Sequence, residues 1–156
     1  GIPCYTWKYP YRPPEATYYE RYQLISDIIM DLTELREYFL GFPATEETTP
    51  FDETTLVYKV GDKMFACMDM VDDGWVAVKC DPELAIELRE QYEDITYAPH
   101  FHKAHWHRLR INGDLPAEFI REQVRNSYLL VVKGMPRAKR DMYSKLFIDF
   151  EAATEK

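Results

Sequence analysis

Of everything in these 156 residues, the dipeptide Gly61-Asp62 constrains the fold most. It separates two strand-like runs, "TLVYKV" and "KMFACMD". A two-residue Gly-Asp linker between such runs predicts a tight antiparallel hairpin. A lone hairpin is only marginally stable in water, so the chain must add strands and an apolar layer. Downstream, "VDDG" makes a second turn and "WVAVKC" a third strand. "CDPELAIELREQY" then has Asp81 as N-cap and Pro82 at the first helical position, a strong helix start. A short run "DITYAP" and the strand "HWHRLRI" follow, closed by Asn112-Gly113. In "LPAEFIREQVRNSYLLVV", Ile120, Val124, Ser127, Tyr128 and Val131 share one side of a helix, which Gly134 and Pro136 end. "RAKRDMYSKLFIDF" reads as a last amphipathic helix through Met142, Leu146 and Phe150.

Upstream of the hairpin, residues 1–14 read as an irregular Pro- and Tyr-rich arm. Glu15 to Leu40 contains no Gly or Pro, and Tyr18, Tyr22, Ile25, Ile29 and Leu32 keep helical spacing. This is one long helix or two separated near Asp31. "GFPATEETTPF" ends it and starts an irregular connection. The predicted order is helix, three strands, helix, two strands, helix, with extra helices at the N- and C-termini. That is a two-layer α+β fold with a mostly antiparallel sheet.

The length suits one domain with a single sizeable core. Charge is unevenly spread: residues 30–97 carry 5 Lys+Arg against 17 Asp+Glu, whereas residues 98–140 carry 9 against 3. The bulk charge of −8 opposes nonspecific nucleic-acid binding, but a local basic face would still support it. Cys4, Cys67 and Cys80 form no paired framework, which points to a reducing compartment. The N-terminal "GIPCYTWKYPYRPP" has no apolar signal core, and no run is apolar and long enough to span a membrane. A cytoplasmic protein is expected.

Four pieces, "KVGDKMFA", "VKCDPELAIELRE", "HFHKAHWHRLRINGDLP" and "IREQVRNSYLLVV", together resemble the MmcQ/YjbR family of small bacterial proteins, often labelled DNA-binding. The resemblance runs from about Met30 to Arg140. It is carried by Lys63-Met64-Phe65, Lys79, Lys103, His105-Trp106, Asn112-Gly113 and Ser127-Tyr128. It implies a fold similar to that of type III secretion chaperones, with the element order just given. The family usually has Asn at His102, and Ser or Asn at His107, so those two histidines are local to this chain. Met30 stands where such proteins often begin. Residues 1–29 are therefore an upstream extension or a start placed too early, and residues 30–156 form the family domain.

All four histidines, His100, His102, His105 and His107, fall within "HFHKAHWH". In an extended chain the two pairs face opposite ways. A zinc site would need ligands from a second piece of chain, such as Cys80 or Asp69, Asp72 and Asp73. Half-exposed histidines at a strand edge are the simpler expectation, so no metal and no cofactor are assigned. On the strand, alternation sends Leu109 and Ile111 to the core and Trp106, Arg108 and Arg110 to the outer face. Arg for phosphate and an aromatic ring for stacking are single-strand-binding chemistry, although Arg over Trp is also an ordinary packed pair. Lys63, Lys79 and Lys103 with His105 form the best candidate for a convergent anion site. Arg121 and Arg125 make a helical stripe that Glu118 and Glu122 can neutralise. The "PRAKR" segment reads as solvated surface. No phosphate-binding loop, nucleophile elbow or metalloprotease motif occurs.

The expected function is non-enzymatic: binding of a polyanion, DNA first, through Lys63, Lys79, Lys103, His105, Trp106, Arg108 and Arg110. The alternative is a protein-interaction or chaperone-like module using an apolar groove or a dimer seam, so monomer and homodimer both stay open. A metal or small-molecule role for His100–His107 ranks third.

Overall fold

A computed structural model describes residues 31–72 and 74–154. The predicted N-terminal arm and most of the predicted first helix lie outside the described residues, as do Asp73 and Cys4. Helix α1 is Leu32–Gly41, with Asp31 as its extended N-cap, the carboxylate accepting the Glu34 N–H at 2.8 Å. Asp31 thus starts this helix, and the stretch expected to be helical before it lies outside the described residues.

Six strands follow: β1 Thr45–Thr48, β2 Thr55–Val60, β3 Lys63–Asp69, β4 Trp75–Lys79, β5 Ile95–Tyr97 and β6 Trp106–Arg110. Helix α2, Pro82–Gln91, lies between β4 and β5; α3, Ala117–Lys133, and α4, Arg137–Thr154, complete the chain. The strands form one fully antiparallel sheet in the order β1-β2-β3-β4-β6-β5. Gly61 and Asp62 have φ of 55° and 65°, the doubly left-handed backbone that a two-residue hairpin turn requires.

Strand β1 lies where the sequence predicts an irregular connection. Its sequence, TEET, has no apolar alternation, and polar contacts hold it at the sheet edge. The Arg36 guanidinium of α1 donates to both Glu47 oxygens at 2.6 and 2.9 Å, and the Tyr58 hydroxyl donates to Glu47 at 2.8 Å. The Arg36 hydrogen bond holds the Glu47 carboxyl below its ordinary pKa.

All four described helices pack on one face of the sheet. The core joins Leu56, Tyr58, Val76, Val78 and Leu109 of the strands to Leu35, Phe39, Leu84, Val124, Tyr128 and Phe147 of the helices. Its centre is aromatic: Phe42 meets Tyr128 at 5.2 Å and Phe147 at 5.6 Å between ring centroids. Each such fully buried ring contributes about 1.5–3 kcal/mol by burial alone. The last helix turns differently from the expected face. Met142 and Leu146 are exposed, while Phe147 is buried and Tyr143 and Phe150 pack against the core. Apolar residues stand on both sides of α4, and the larger aromatic stripe takes the interior.

A bulge sets the phase of β3. Tyr58 opposes Ala66, but the next pair is Lys59 and Met64, so Phe65 is an extra residue. Both Phe65 and Ala66 then reach the helix-side core. The other face of the sheet carries a small second cluster, Val57, Cys67, Ala77 and Ala98, with Met64, Phe101 and Trp106 against it. No described helix covers it.

Candidate functional site

The uncovered face is positioned by three antiparallel strands whose ends coincide. Lys63 begins β3, Lys79 ends β4 and Trp106 begins β6, with Lys79 and Trp106 directly opposite in register. The turn from α3 into α4 closes over the same end of the sheet. The result is a cleft of about 690 Å³ lined by Lys63, Lys79, Trp106, Met135, Pro136 and Lys139, among others. Its ionisable lining is entirely cationic, and among the described residues none of the three lysines has an ion-pair partner. The first turn of α4 adds backbone N–H groups and the positive end of an 18-residue helix. Trp106 is held against Phe101, centroids 4.7 Å apart, so its indole is fixed before any ligand arrives.

Ser127 of α3 ties the helical layer to this end. Its hydroxyl donates to the Phe65 carbonyl at 2.6 Å, in the bulge, and accepts the Lys79 N–H at 2.8 Å. The Cys80 N–H donates to the His105 carbonyl at 2.8 Å, fixing the loop that precedes Trp106.

A second concavity, about 660 Å³, lies farther along the same face. Met64 borders both. Its floor is the row Cys67–Ala77, opposite each other in register, and Phe51, Ala98 and Phe101 form walls. Asp52, Asp69 and Asp72 line it, together with Arg108. Arg108 is already engaged: its guanidinium lies 3.9 Å from the Trp75 ring centroid, and its Nε donates to Thr96 Oγ1 at 3.0 Å. Arg110 lies 4.1 Å from the same ring. The ring between the two arginines is therefore Trp75, not the Trp106 that neighbours them in sequence, because cross-strand pairing sets Trp75 opposite Arg110.

The sequence-predicted residues thus divide. Lys63, Lys79 and Trp106 share the basic cleft. Arg108 and Arg110 hold Trp75 beside the second groove. Lys103 lies 5.6 Å from the Tyr97 ring, and His105 is exposed in the loop before β6; neither lines the basic cleft. Lys139 has no signal in the sequence that marks it as a site residue. "PRAKR" reads as solvated surface, and only the fold of the α3–α4 turn onto the sheet end brings Lys139 in.

The histidines do not act together. His100 borders the second groove, His102 accepts the Ala104 N–H at 3.2 Å, and the His102 and His105 rings lie 4.9 Å apart. His107 departs from the expected strand-edge position: it is fully buried on the helix side. Burial, then the nearby Arg89 charge, pushes its pKa from 6.5 down to about 3. Among the described residues no three His, Cys, Asp or Glu side chains group as a metal site would require. Arg121 pairs with Glu118 and Arg125 with Glu122, each at 3.8 Å, so that helical stripe is self-neutralised. Burial raises the Cys67 thiol to about 11, with help from Asp69 and Asp52, so it stays protonated. No described helix is long and apolar enough to cross a membrane.

Comparison with known proteins gives a consistent result. The family model YjbR matches residues 40–130. The chain is similar to the uncharacterized protein YjbR of Escherichia coli K12, 34% identical over 118 residues, 75% of this chain and all of the relative. It is 28% identical over 103 residues to the uncharacterized protein YbdF of E. coli O157:H7, 65% of this chain and 83% of the relative. Among solved structures, Deinococcus radiodurans DR2400, with a DUF419 domain, superposes with a TM-score of 0.68 at 36% identity, covering 76% of this chain and 89% of that one. A Pseudomonas syringae protein gives 0.57 at 25% identity, covering 65% and 98%.

Proposed function

The chain belongs to the YjbR family, and on that premise we propose that it is a non-enzymatic cytoplasmic protein that binds a polyanion, DNA first among them, in the cleft between the sheet end and α4. One observation carries the reading: Lys63, Lys79 and Lys139 converge on a cleft without a single carboxylate in its lining, in a chain whose net charge is −8. Three unpaired ammonium groups held together repel one another, and a phosphate chain removes that repulsion. The N-terminal turn of α4 offers N–H donors to a phosphate oxygen. Trp106, stacked on Phe101, offers a ring edge or face to an unstacked base. None of these groups reads a base edge in register, so the binding is sequence-tolerant.

Fluorescence anisotropy with labelled single- and double-stranded oligonucleotides, at low and physiological salt, tests this. Wild type binds, and affinity falls as salt rises. Lys63→Ala/Lys79→Ala/Lys139→Ala loses binding, whereas Lys103→Ala does not. Equal binding by the triple variant, or none by wild type at low salt, overturns the proposal.

A second reading, a protein-interaction module, has its own observation: the apolar groove on the same face, whose charge is opposite to that of the cleft.

A further inference from the structure

The geometry points to the groove over Cys67 and Ala77 as a docking site for a basic amphipathic peptide segment of a partner protein, apolar side chains on the groove floor and Lys or Arg at its acidic end. Small residues create the depression. Val57, Cys67 and Ala77 follow one another across β2, β3 and β4, while Met64 on one side and Trp75 on the other stand higher. The volume of about 660 Å³ is that of a site burying two or three side chains rather than a surface dimple.

Two turns form the open end. Phe51, 66% exposed, comes from the β1–β2 connection; Met70 and Val71, the latter 77% exposed, come from the β3–β4 turn. The Met70 N–H donates to the Thr54 carbonyl at 2.8 Å, so the two turns are fastened together. Phe51 lines the groove, and the exposed Met70 and Val71 stand in the turn between its lining residues Asp69 and Asp72; exposed large apolar side chains next to an apolar groove mark a contact surface for another macromolecule.

Charge selects the partner. Asp52, Asp69 and Asp72 line the groove against one cation, Arg108, which Trp75 and Thr96 already hold. Asp52 is fixed as a carboxylate by the Thr54 and Thr55 N–H and hydroxyl groups, at 2.7 to 3.2 Å, which hold its pKa below the usual range. Asp69 accepts the Val71 N–H at 2.8 Å. An acidic or nucleic-acid ligand is repelled here; a segment with apolar anchors beside Lys or Arg is complementary in both respects. A segment of that kind inserts its apolar face as helix-in-groove binders do.

The full chain is titrated into a fluorescein-labelled peptide of alternating Leu and Lys clusters and into its Leu/Glu counterpart. The Leu/Lys peptide binds and the Leu/Glu peptide does not. Asp52→Asn/Asp69→Asn/Asp72→Asn weakens binding about tenfold or more, as lost charge complementarity requires. Ala77→Phe, which fills the floor, abolishes it. Should Ala77→Phe fail to fold, Phe51→Ser/Val71→Ser at the mouth replaces it, with the same expected loss. Equal binding of both peptides, or binding unchanged in the acidic-end and mouth variants, overturns the inference. So does sedimentation showing that the groove is closed by a second copy, as a dimer that Phe51→Ser/Val71→Ser dissociates. Oligonucleotide anisotropy on the same variants separates this from the polyanion reading, since the acidic-end substitutions leave the three cleft lysines in place.

Discussion

The Ser127 hydroxyl donates a 2.6 Å hydrogen bond to the carbonyl of Phe65, the extra residue of the β3 bulge, and accepts the Lys79 N–H from the next strand. One side chain thus bridges a backbone carbonyl of β3 and a backbone N–H of β4, just outside the paired stretch that begins at Ala66 and Val78. Ser127→Ala leaves both without that partner beneath α3. The expected loss is about 1–3 kcal/mol in urea unfolding. A loss under a few tenths would show that the bulge does not depend on this contact.

His107 makes stability depend on acid. Its ring nitrogens have no hydrogen-bond partner among the described residues, and the folded protein keeps the ring neutral down to about pH 3. The unfolded chain protonates it near the ordinary 6.5. Below that value the unfolded state binds the extra proton. Stability is therefore complete above about pH 6.5 and falls toward pH 3, by up to about 1.4 kcal/mol per pH unit at its steepest. His107→Leu removes this component and also the cost of two unpaired polar atoms. Denaturant midpoints between pH 7 and pH 4 should be flatter in the variant, with no loss at pH 7; parallel profiles would contradict the assignment.

At Gly61 the backbone φ is +55°, and a Cβ would stand 2.8 Å from the terminal methyl of Met135. Met135 is flexible enough to move, but the left-handed backbone is not cheap for alanine. Gly61→Ala should cost about 1 kcal/mol in thermal or urea unfolding. Because Gly61 and Met135 line the basic cleft, the same variant should weaken oligonucleotide binding without changing any charge.

Arg110 and Arg108 both lie over one indole, so Trp75→Ala takes the ring from both guanidiniums, while Thr96 still holds Arg108 and Asp94 still faces Arg110 at 3.8 Å. A stability loss of about 1–2 kcal/mol is expected from the two cation–π contacts and the arginine stems packed on the ring. Measured together with Arg108→Ala and Arg110→Ala, the loss should be non-additive; strict additivity would show that the sandwich contributes no coupling.

Much of the fold is legible in the sequence, for physical reasons. The Gly61-Asp62 turn, the Asp81-Pro82 helix start and the Ile120–Val131 face are local signals, and the fold uses each as written. Alternation also placed Arg108 and Arg110 outward and Leu109 inward. What escaped was decided at long range. TEET became a strand because Arg36 and Tyr58 reach Glu47, and that pairing has no periodic signature. Trp75, rather than Trp106, met the arginines because strand register, not proximity in sequence, chooses the neighbour. Lys139 joined Lys63 and Lys79 only when the α3–α4 turn folded over the sheet end. His107 went to the interior because β6 is covered by helices on that side, which a strand-edge expectation left out.

Where a polyanion sits on this chain can be mapped directly. A ¹⁵N-labelled sample of the full chain is titrated with a short single-stranded oligonucleotide, following amide and indole shifts. Saturable changes are expected at Gly61, Lys63, Lys79, Gly134, Lys139 and the Trp106 indole, with Asp52, Asp69 and the Arg121–Arg125 stripe unmoved. Changes centred on that stripe or on the acidic groove, or no changes at low salt, would contradict binding in the basic cleft.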